Sequence, residues 1–322
     1  MSFSFLMLPP QTPTTRDWGR RLANEVAEAR VILAETDAAA EAAIGAADAA
    51  YGVLPASLLG RASRLRWLQS PQAAPPAGYY YPQLVAHPVV VTNMREIYND
   101  HIGAHIMAFV LAFARDFQTY LPQQLRREWK PKPLDTGIVP LPGATALIVG
   151  VGGIGAEAAR LAAAFGMRVI ATDARRTQPP EGVAELHRPE ALDALLGRAD
   201  FVILTVPHTP ATEGFMDRAR FCRMKPSAFF INIGRGKTTK LDDLVAALEA
   251  GEIAGAGLDV FETEPLPPDH KLWTLPNVLI TPHTAGFGPD LDERRYAIIR
   301  DNCRAFALGE ELRNVVDKAS WF

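Results

Sequence analysis

Residues Thr145 to Asp173, TALIVGVGGIGAEAARLAAAFGMRVIATD, read as strand, turn, helix and strand, and no other stretch constrains the fold as tightly. The apolar run Ala146 to Val149 leads into glycines at 150, 152 and 155; Ala156 to Phe165 then reads as a helix and Met167 to Ala171 as a second strand. Glycine at the first position permits a tight turn, at the second it lets backbone approach a ligand, and at the third it lets helix and strand pack closely. The unpaired N–H groups at the helix start would then receive a diphosphate. Asp173 follows Gly150 by 23 residues, where a carboxylate can accept from both ribose hydroxyls of an adenosine. The segment therefore predicts a dinucleotide-binding βαβ unit, with Gly150, Gly152, Gly153, Ile154 and Gly155 at its turn. A carboxylate at Asp173 would repel a 2'-phosphate, which favours NAD over NADP. Arg175 and Arg176 act in the opposite sense, since either can pair with that phosphate.

This unit begins nearly halfway along a chain of 322 residues, a length that allows two ordinary domains. A formal charge of -3 supplies no large cationic face, which argues against a nucleic-acid partner. The two cysteines, Cys222 and Cys303, fit neither a disulfide framework nor a metal cluster, and suggest a reducing compartment. The N-terminal MSFSFLMLPPQTPTT lacks a positive n-region and reads as a strand and turn. No apolar stretch is long enough to span a membrane. The expected location is the cytoplasm.

Before the glycine turn, strand-like runs occur at Phe3 to Leu8, Ala29 to Leu33, Ala50 to Val53, Arg66 to Gln69 and Pro88 to Asn93. Ile102 to Leu121 is apolar on more than one face and predicts one buried helix, followed by an irregular, proline-containing connection from Arg126 to Pro142. Past Asp173, strands are expected at Ala199 to Thr205, Ala228 to Ile233, Gly255 to Val260 and Val278 to Thr281, with helices at Lys240 to Ala250 and Pro289 to Leu308. Short, unalternating apolar strands suit a parallel sheet covered on both faces. The fold class is thus α/β, with two Rossmann-like domains. The nucleotide-binding domain, 96–289, is inserted in a substrate (catalytic) domain of 1–95 and 290–322, and two crossings would form a closing cleft.

Three polar residues fall at or just past predicted strand ends, where ligands bind in such sheets: Arg235 in INIGRG, Glu264 in DVFETEP and His283 in TPHTAG. An arginine can hold a 2-keto carboxylate through two parallel donors, and a histidine can protonate the carbonyl oxygen as hydride reaches carbon. A carboxylate behind the imidazole would fix its orientation. Sequence alone does not choose among Asp259, Glu262 and Glu264, and His208 in Val206-Pro207-His208 is a rival histidine.

The glycine turn, INIGRG, LDVFETEP and TPHTAG, in this order, resemble the D-isomer-specific 2-hydroxyacid dehydrogenase family, which includes glyoxylate/hydroxypyruvate reductases, phosphoglycerate dehydrogenases and formate dehydrogenases. The likeness covers most of residues 93–290; the first 90 agree mainly in layout. It implies that Arg235 binds the substrate carboxylate, that Glu264 partners His283, that His283 is the acid/base, and that Asp259 contacts the nicotinamide amide. It further implies cofactor contacts from Val206, Pro207, Thr212, Ile233, His283 and Gly286, and a homodimer formed through the nucleotide domain.

One departure concerns the loop after Gln69. Where many members have a glycine-rich loop holding the carboxylate, this chain has SPQAAPPAGYYY, whose prolines at 71, 75 and 76 carry no N–H donor. Gln72, Ala73 and Ala74 are the remaining candidates for substrate contact, and the tyrosines 79 to 81 would either shape a pocket or pack between domains. His101 and His105, one turn apart, lack a third ligand and are expected to be structural, so no metal is expected. The reading is reduction of a small 2-keto acid, such as glyoxylate or hydroxypyruvate, to the D-2-hydroxy acid with NADH. Formate oxidation and a non-catalytic NAD-sensing protein are the alternatives. A short-chain dehydrogenase is excluded because no tyrosine precedes a lysine at the required spacing.

Overall fold

The computed structural model describes residues 1–73, 78–134 and 136–319. It divides into two compact units, Met1–Ile97 with Pro289–Phe322, and Tyr98–Gly288.

The first unit begins with β1 (Phe3–Met7), α1 (Pro13–Glu25), β2 (Ala29–Leu33), α2 (Asp37–Ala43), β3 (Ala49–Tyr51), α3 (Ala56–Leu59), β4 (Trp67–Gln69), α4 (Pro82–Ala86) and β5 (Val90–Thr92). The strands form a parallel sheet in the order β2-β1-β3-β4-β5, with a switch point between β1 and β3. Thr12 starts α1 with a reciprocal cap, its side chain accepting from Thr15 N while Thr12 N donates to Thr15 Oγ1.

The second unit opens on α5 (Asn99–Ala114) and α6 (Phe117–Leu125). The single helix expected over this stretch is broken at Asp116, which is left-handed at φ 60° and buried. Its carboxylate accepts from Thr119 Oγ1 and Gln118 Nε2 and pairs with Lys132 Nζ at 2.7 Å, which rewards the break with local bonds that an apolar pattern cannot reveal. There follow β6 (Thr145–Val149), α7 (Gly153–Ala164), β7 (Arg168–Thr172), β8 (Val183–His187), α8 (Leu192–Leu195), β9 (Phe201–Leu204), α9 (Arg218–Phe221), β10 (Phe229–Asn232), α10 (Leu241–Glu249), β11 (Gly255–Leu258) and β12 (Val278–Ile280). They form a seven-stranded parallel sheet, β12-β11-β10-β9-β6-β7-β8, with a switch point between β6 and β9. Strand β8, absent from the expected set, is an edge strand whose residues beyond Val183 are largely half-exposed, so it lacks the apolar run that marks its neighbours. Helix α5 covers one face: Phe113 stacks on Phe229 at 4.6 Å, which stacks on Phe201 at 5.5 Å. Gly103 lets α5 approach α7, because a Cβ there would lie 2.8 Å from Glu157 Cγ.

The last helix, α11 (Leu291–Leu308), belongs to the first unit. Its Phe306 packs on Phe3 and Trp67, Asn302 donates to Gln69 Oε1 at 3.0 Å, and Arg21 of α1 lies 3.7 Å over Tyr296 while forking onto Glu293 at 2.6 and 2.9 Å. Among the described residues no helix is long and apolar enough to cross a membrane.

Candidate active site

At the switch point of the larger sheet, Gly150 has φ 92°, and a Cβ on it would lie 2.8 Å from Val206 Cγ1. A Cβ on Gly155 would lie 2.0 Å from the Gly150 carbonyl, a backbone atom that cannot yield, so only glycine lets α7 start against the turn. At Gly152 an added Cβ meets nothing within 4 Å, and no side chain caps the first turn of α7. An open face lined by helix-terminal amides at Gly153 and Ile154 fits a diphosphate. At the end of β7, Asp173 Oδ2 accepts from Val151 N at 2.9 Å, and Oδ1 accepts from Arg175 N and Arg176 N at 2.8 Å. Burial pushes this carboxyl upward, but the Arg176, Arg175 and Val151 amides, with the nearby Arg176 charge, outweigh it and hold it below the usual carboxylate range. Arg176 Nε donates to Val151 O at 2.6 Å.

The three chemical candidates come from neighbouring strand ends, β10, β11 and β12. Gly234 turns the chain after β10 where a Cβ would lie 2.7 Å from Val206 O, and Gly236 presses on Phe261, where a Cβ would lie 1.9 Å from its carbonyl carbon. The two glycines thus seat Arg235 against the loop carrying Glu264. Arg235 Nη1 donates to Gly234 O at 2.6 Å. Burial pushes its guanidinium below the ordinary value while the Glu264 charge opposes this, and it remains a cation. His283 Nδ1 lies 2.7 Å from Glu264 Oε2, and Glu264 Oε1 accepts from Phe261 N at 2.9 Å. Glu262 instead accepts from Leu241 N at the start of α10, at 3.0 Å. The choice among acids, open in sequence, is made by reach: one glutamate serves a helix end and the other serves the imidazole. Asp259 is buried and binds Thr281 Oγ1, Thr284 N and Ala285 N. His208 Nε2 lies 3.7 Å from Glu213 and takes no part in the pair.

A family model described as D-isomer specific 2-hydroxyacid dehydrogenase, NAD binding domain, matches residues 107–285. The chain belongs to this family. Among curated proteins it is 36% identical over 240 residues to a glyoxylate reductase of Pyrococcus furiosus, covering 71% of this chain and 69% of that one. It is 38% identical over 237 residues to glyoxylate/hydroxypyruvate reductase B of Klebsiella pneumoniae, covering 73% and 72%. A solved NADPH-dependent glyoxylate/hydroxypyruvate reductase from Sinorhizobium meliloti, in complex with NADP and sulfate, superposes with TM-score 0.82 at 28% identity, covering 100% of both chains.

In this NAD(P)-dependent 2-hydroxyacid dehydrogenase, the other expected cofactor contacts sit at the same edge of the sheet. Val206 packs on Gly150 and Gly234; Pro207 O accepts from Thr212 Oγ1 at 2.7 Å, and Thr212 Oγ1 accepts from Thr209 N, so Thr212 braces the turn after β9. Ile233 is buried, and a Cβ on Gly286 would stand in ordinary contact, 3.4 Å, with Tyr98. In the first unit of the dehydrogenase, Gln72 is exposed and Ala73 O accepts from Asn93 Nδ2 at 2.8 Å; Ala74 lies outside the described residues. Tyr79 and Tyr81 donate to Gly52 O and Leu54 O at 3.1 and 3.0 Å, packing onto the segment after β3. A hollow of about 250 Å³, lined by Thr12, Trp18, Tyr51, Pro71 and Arg295 among others, opens at the β1/β3 switch point.

Proposed function

We propose that the dehydrogenase reduces a small 2-keto acid, such as glyoxylate, hydroxypyruvate or a close analogue, to the D-2-hydroxy acid with NADH. The observation that carries this reading is the 2.7 Å contact of His283 Nδ1 with Glu264. It leaves Nε2 as the ring nitrogen available to a substrate. When bound, the reduced nicotinamide supplies hydride to the carbonyl carbon. His283 Nε2–H hydrogen-bonds the carbonyl oxygen and gives it the proton, and takes it back in the oxidative direction. Arg235 holds the carboxylate. The unit of residues 1–97 and 289–322 serves as the substrate domain, with Gln72 and Ala73 contributing at its wall. The similar proteins named as glyoxylate and glyoxylate/hydroxypyruvate reductases support this substrate class.

NADH is favoured by Asp173, whose ionised carboxylate repels a 2'-phosphate. NADPH is the second reading, supported by Arg175 and Arg176 beside that carboxylate and by the NADPH-dependent relative. We further propose a homodimer through the nucleotide unit. Phe117, Leu121 and Leu125 repeat every four residues along α6 and are exposed, as are Trp129 at 94% and Leu134. Exposed large apolar side chains gathered in one segment are of the kind that partners cover. Both cysteines are thiols, which suits the reducing cytoplasm proposed for the protein.

The test is a panel of 2-keto acids with NADH and NADPH, repeated for His283→Ala and Arg235→Ala. His283→Ala is expected to lower kcat by about 10²- to 10⁴-fold. Arg235→Ala is expected to raise KM as well. Turnover at the wild-type level by both variants would overturn the assignment, and a higher kcat/KM with NADPH would replace NADH.

A further inference from the structure

Helix α5 is seated on β11 by two glycines. A Cβ on Gly255 would lie 3.3 Å from Phe113 Cε1, and one on Gly257 would lie 2.8 Å from Phe109 Cγ, so each aromatic ring rests on bare backbone. Four helical residues rise about 6 Å, and two strand residues advance about 6.6 Å. The helix and strand therefore keep step: Phe113 over Gly255, Phe109 over Gly257, and then His105 beside Asp259. The imidazole packs edge-on against Phe109 at 4.9 Å, with Nε2 lying 3.9 Å from Asp259 Oδ1 and 2.9 Å from Thr281 Oγ1.

The hydrogens in this chain have one consistent arrangement. Thr281 has a single hydroxyl proton, and it is donated to Asp259 Oδ1 at 2.6 Å. Thr281 must then accept from His105, which fixes the imidazole proton on Nε2. Burial lowers the imidazole's affinity for a second proton, against an opposing pull from Asp259. Asp259 in turn accepts from Thr284 N at 2.8 Å and Ala285 N at 3.0 Å, and its backbone carbonyl accepts from His283 N at 2.9 Å. His283 itself has φ 54°, a left-handed backbone that a histidine holds only when its surroundings impose it. The bonds to Asp259 flank that residue on both sides.

We propose that His105 is a positioning residue for His283, acting through Thr281 and Asp259 to hold the turn in which the acid/base histidine stands. This rests on the functional reading of His283. His105 touches neither reacting atom. Its donor orders the one proton of Thr281, and that proton keeps the Asp259 carboxylate turned to the two amides that follow His283. A loosened turn displaces the imidazole relative to the carbonyl it must protonate, and small displacements of that kind are costly.

The experiment compares His105→Phe, which keeps an aromatic ring on Phe109 but has no donor, with His105→Gln, whose amide restores one, and adds Thr281→Val and the double variant. Steady-state kinetics with the preferred 2-keto acid are paired with amide hydrogen exchange, read by mass spectrometry on the peptide containing residues 281–287 in the protein without added cofactor. His105→Phe is expected to lower kcat about 10- to 100-fold with little change in keto-acid KM, and to speed exchange in that peptide. His105→Gln is expected to recover most of both. The double variant is expected to lose no more than the worse single variant, because both break one chain. Equal losses in His105→Phe and His105→Gln would assign the residue a packing role and overturn the proposal. So would unchanged exchange and kcat in His105→Phe. The exchange readout needs no turnover, so an active His283→Ala enzyme would defeat the functional reading while leaving the hydrogen-bond chain separately measurable.

Discussion

The two units are built alike and differ in what their loops expose. Each is a parallel sheet flanked by helices, with a switch point where chain direction across the sheet reverses. At the β6/β9 switch the chain places glycines and uncapped amides. At the β1/β3 switch it places Pro9 and Pro10, and Gln11 Nε2 satisfies backbone acceptors by lying within 3.0 Å of the carbonyls of Met7, Leu8 and Ala34. The tyrosine bonds to Gly52 O and Leu54 O further occupy backbone acceptors near that switch. The same architecture thus yields an anion-receptive edge in one unit and a self-satisfied edge in the other. Fold sets where a site can be, and loop composition decides which site is built.

That contrast makes demands on the two units that can be measured. The largest effect is expected for Gly155→Val, since its Cβ would fall 2.0 Å from the Gly150 carbonyl. NADH affinity, followed by fluorescence titration, should fall by on the order of a hundredfold, about 2.7 kcal/mol. Retained affinity would mean that the glycine turn is not where the dinucleotide binds. Next is assembly, assigned to the same unit. Leu125→Glu combined with Trp129→Glu should convert a dimer to a monomer in light scattering at micromolar protein, by placing charge in an apolar contact. A monomeric parent protein would remove the proposed interface. The smallest effect is expected for Gln72→Ala in the first unit. Keto-acid KM should rise about threefold with kcat unchanged, the pattern of lost uniform binding. A fall in kcat matching that of His283→Ala would break the contrast, because chemistry would then depend as strongly on the proline-bearing loop.

The sequence was most readable where one residue type does one physical job. Gly150 and Gly155 each answer a steric demand that no other side chain meets, Gly152 leaves the space over the turn open, and the central strands of the larger sheet are short apolar runs because both faces are covered. Legibility ended where a partner is distant in sequence. The break at Asp116 depends on Lys132 and local hydroxyls, and the apolar pattern passes through it unchanged. Glu262 and Glu264 are two residues apart and equivalent on paper; only the positions of Leu241 and His283 separate them. His105 carries the clearest example. Its bond partner is Thr281, 176 residues away, so the histidine reads as one more polar residue on a buried helix until α5 is laid over β11.

The return of α11 to the first unit bears on the order in which the protein can be completed during synthesis. Trp67 and Gln69 are made early, yet their neighbours include Phe306 and the buried Asn302. A nascent chain that has not reached residue 306 cannot enclose Trp67 as seen here, whereas every strand of the β6–β12 sheet is in hand once Ile280 has emerged. The unit whose first strand leaves the ribosome first is therefore the last to close its core.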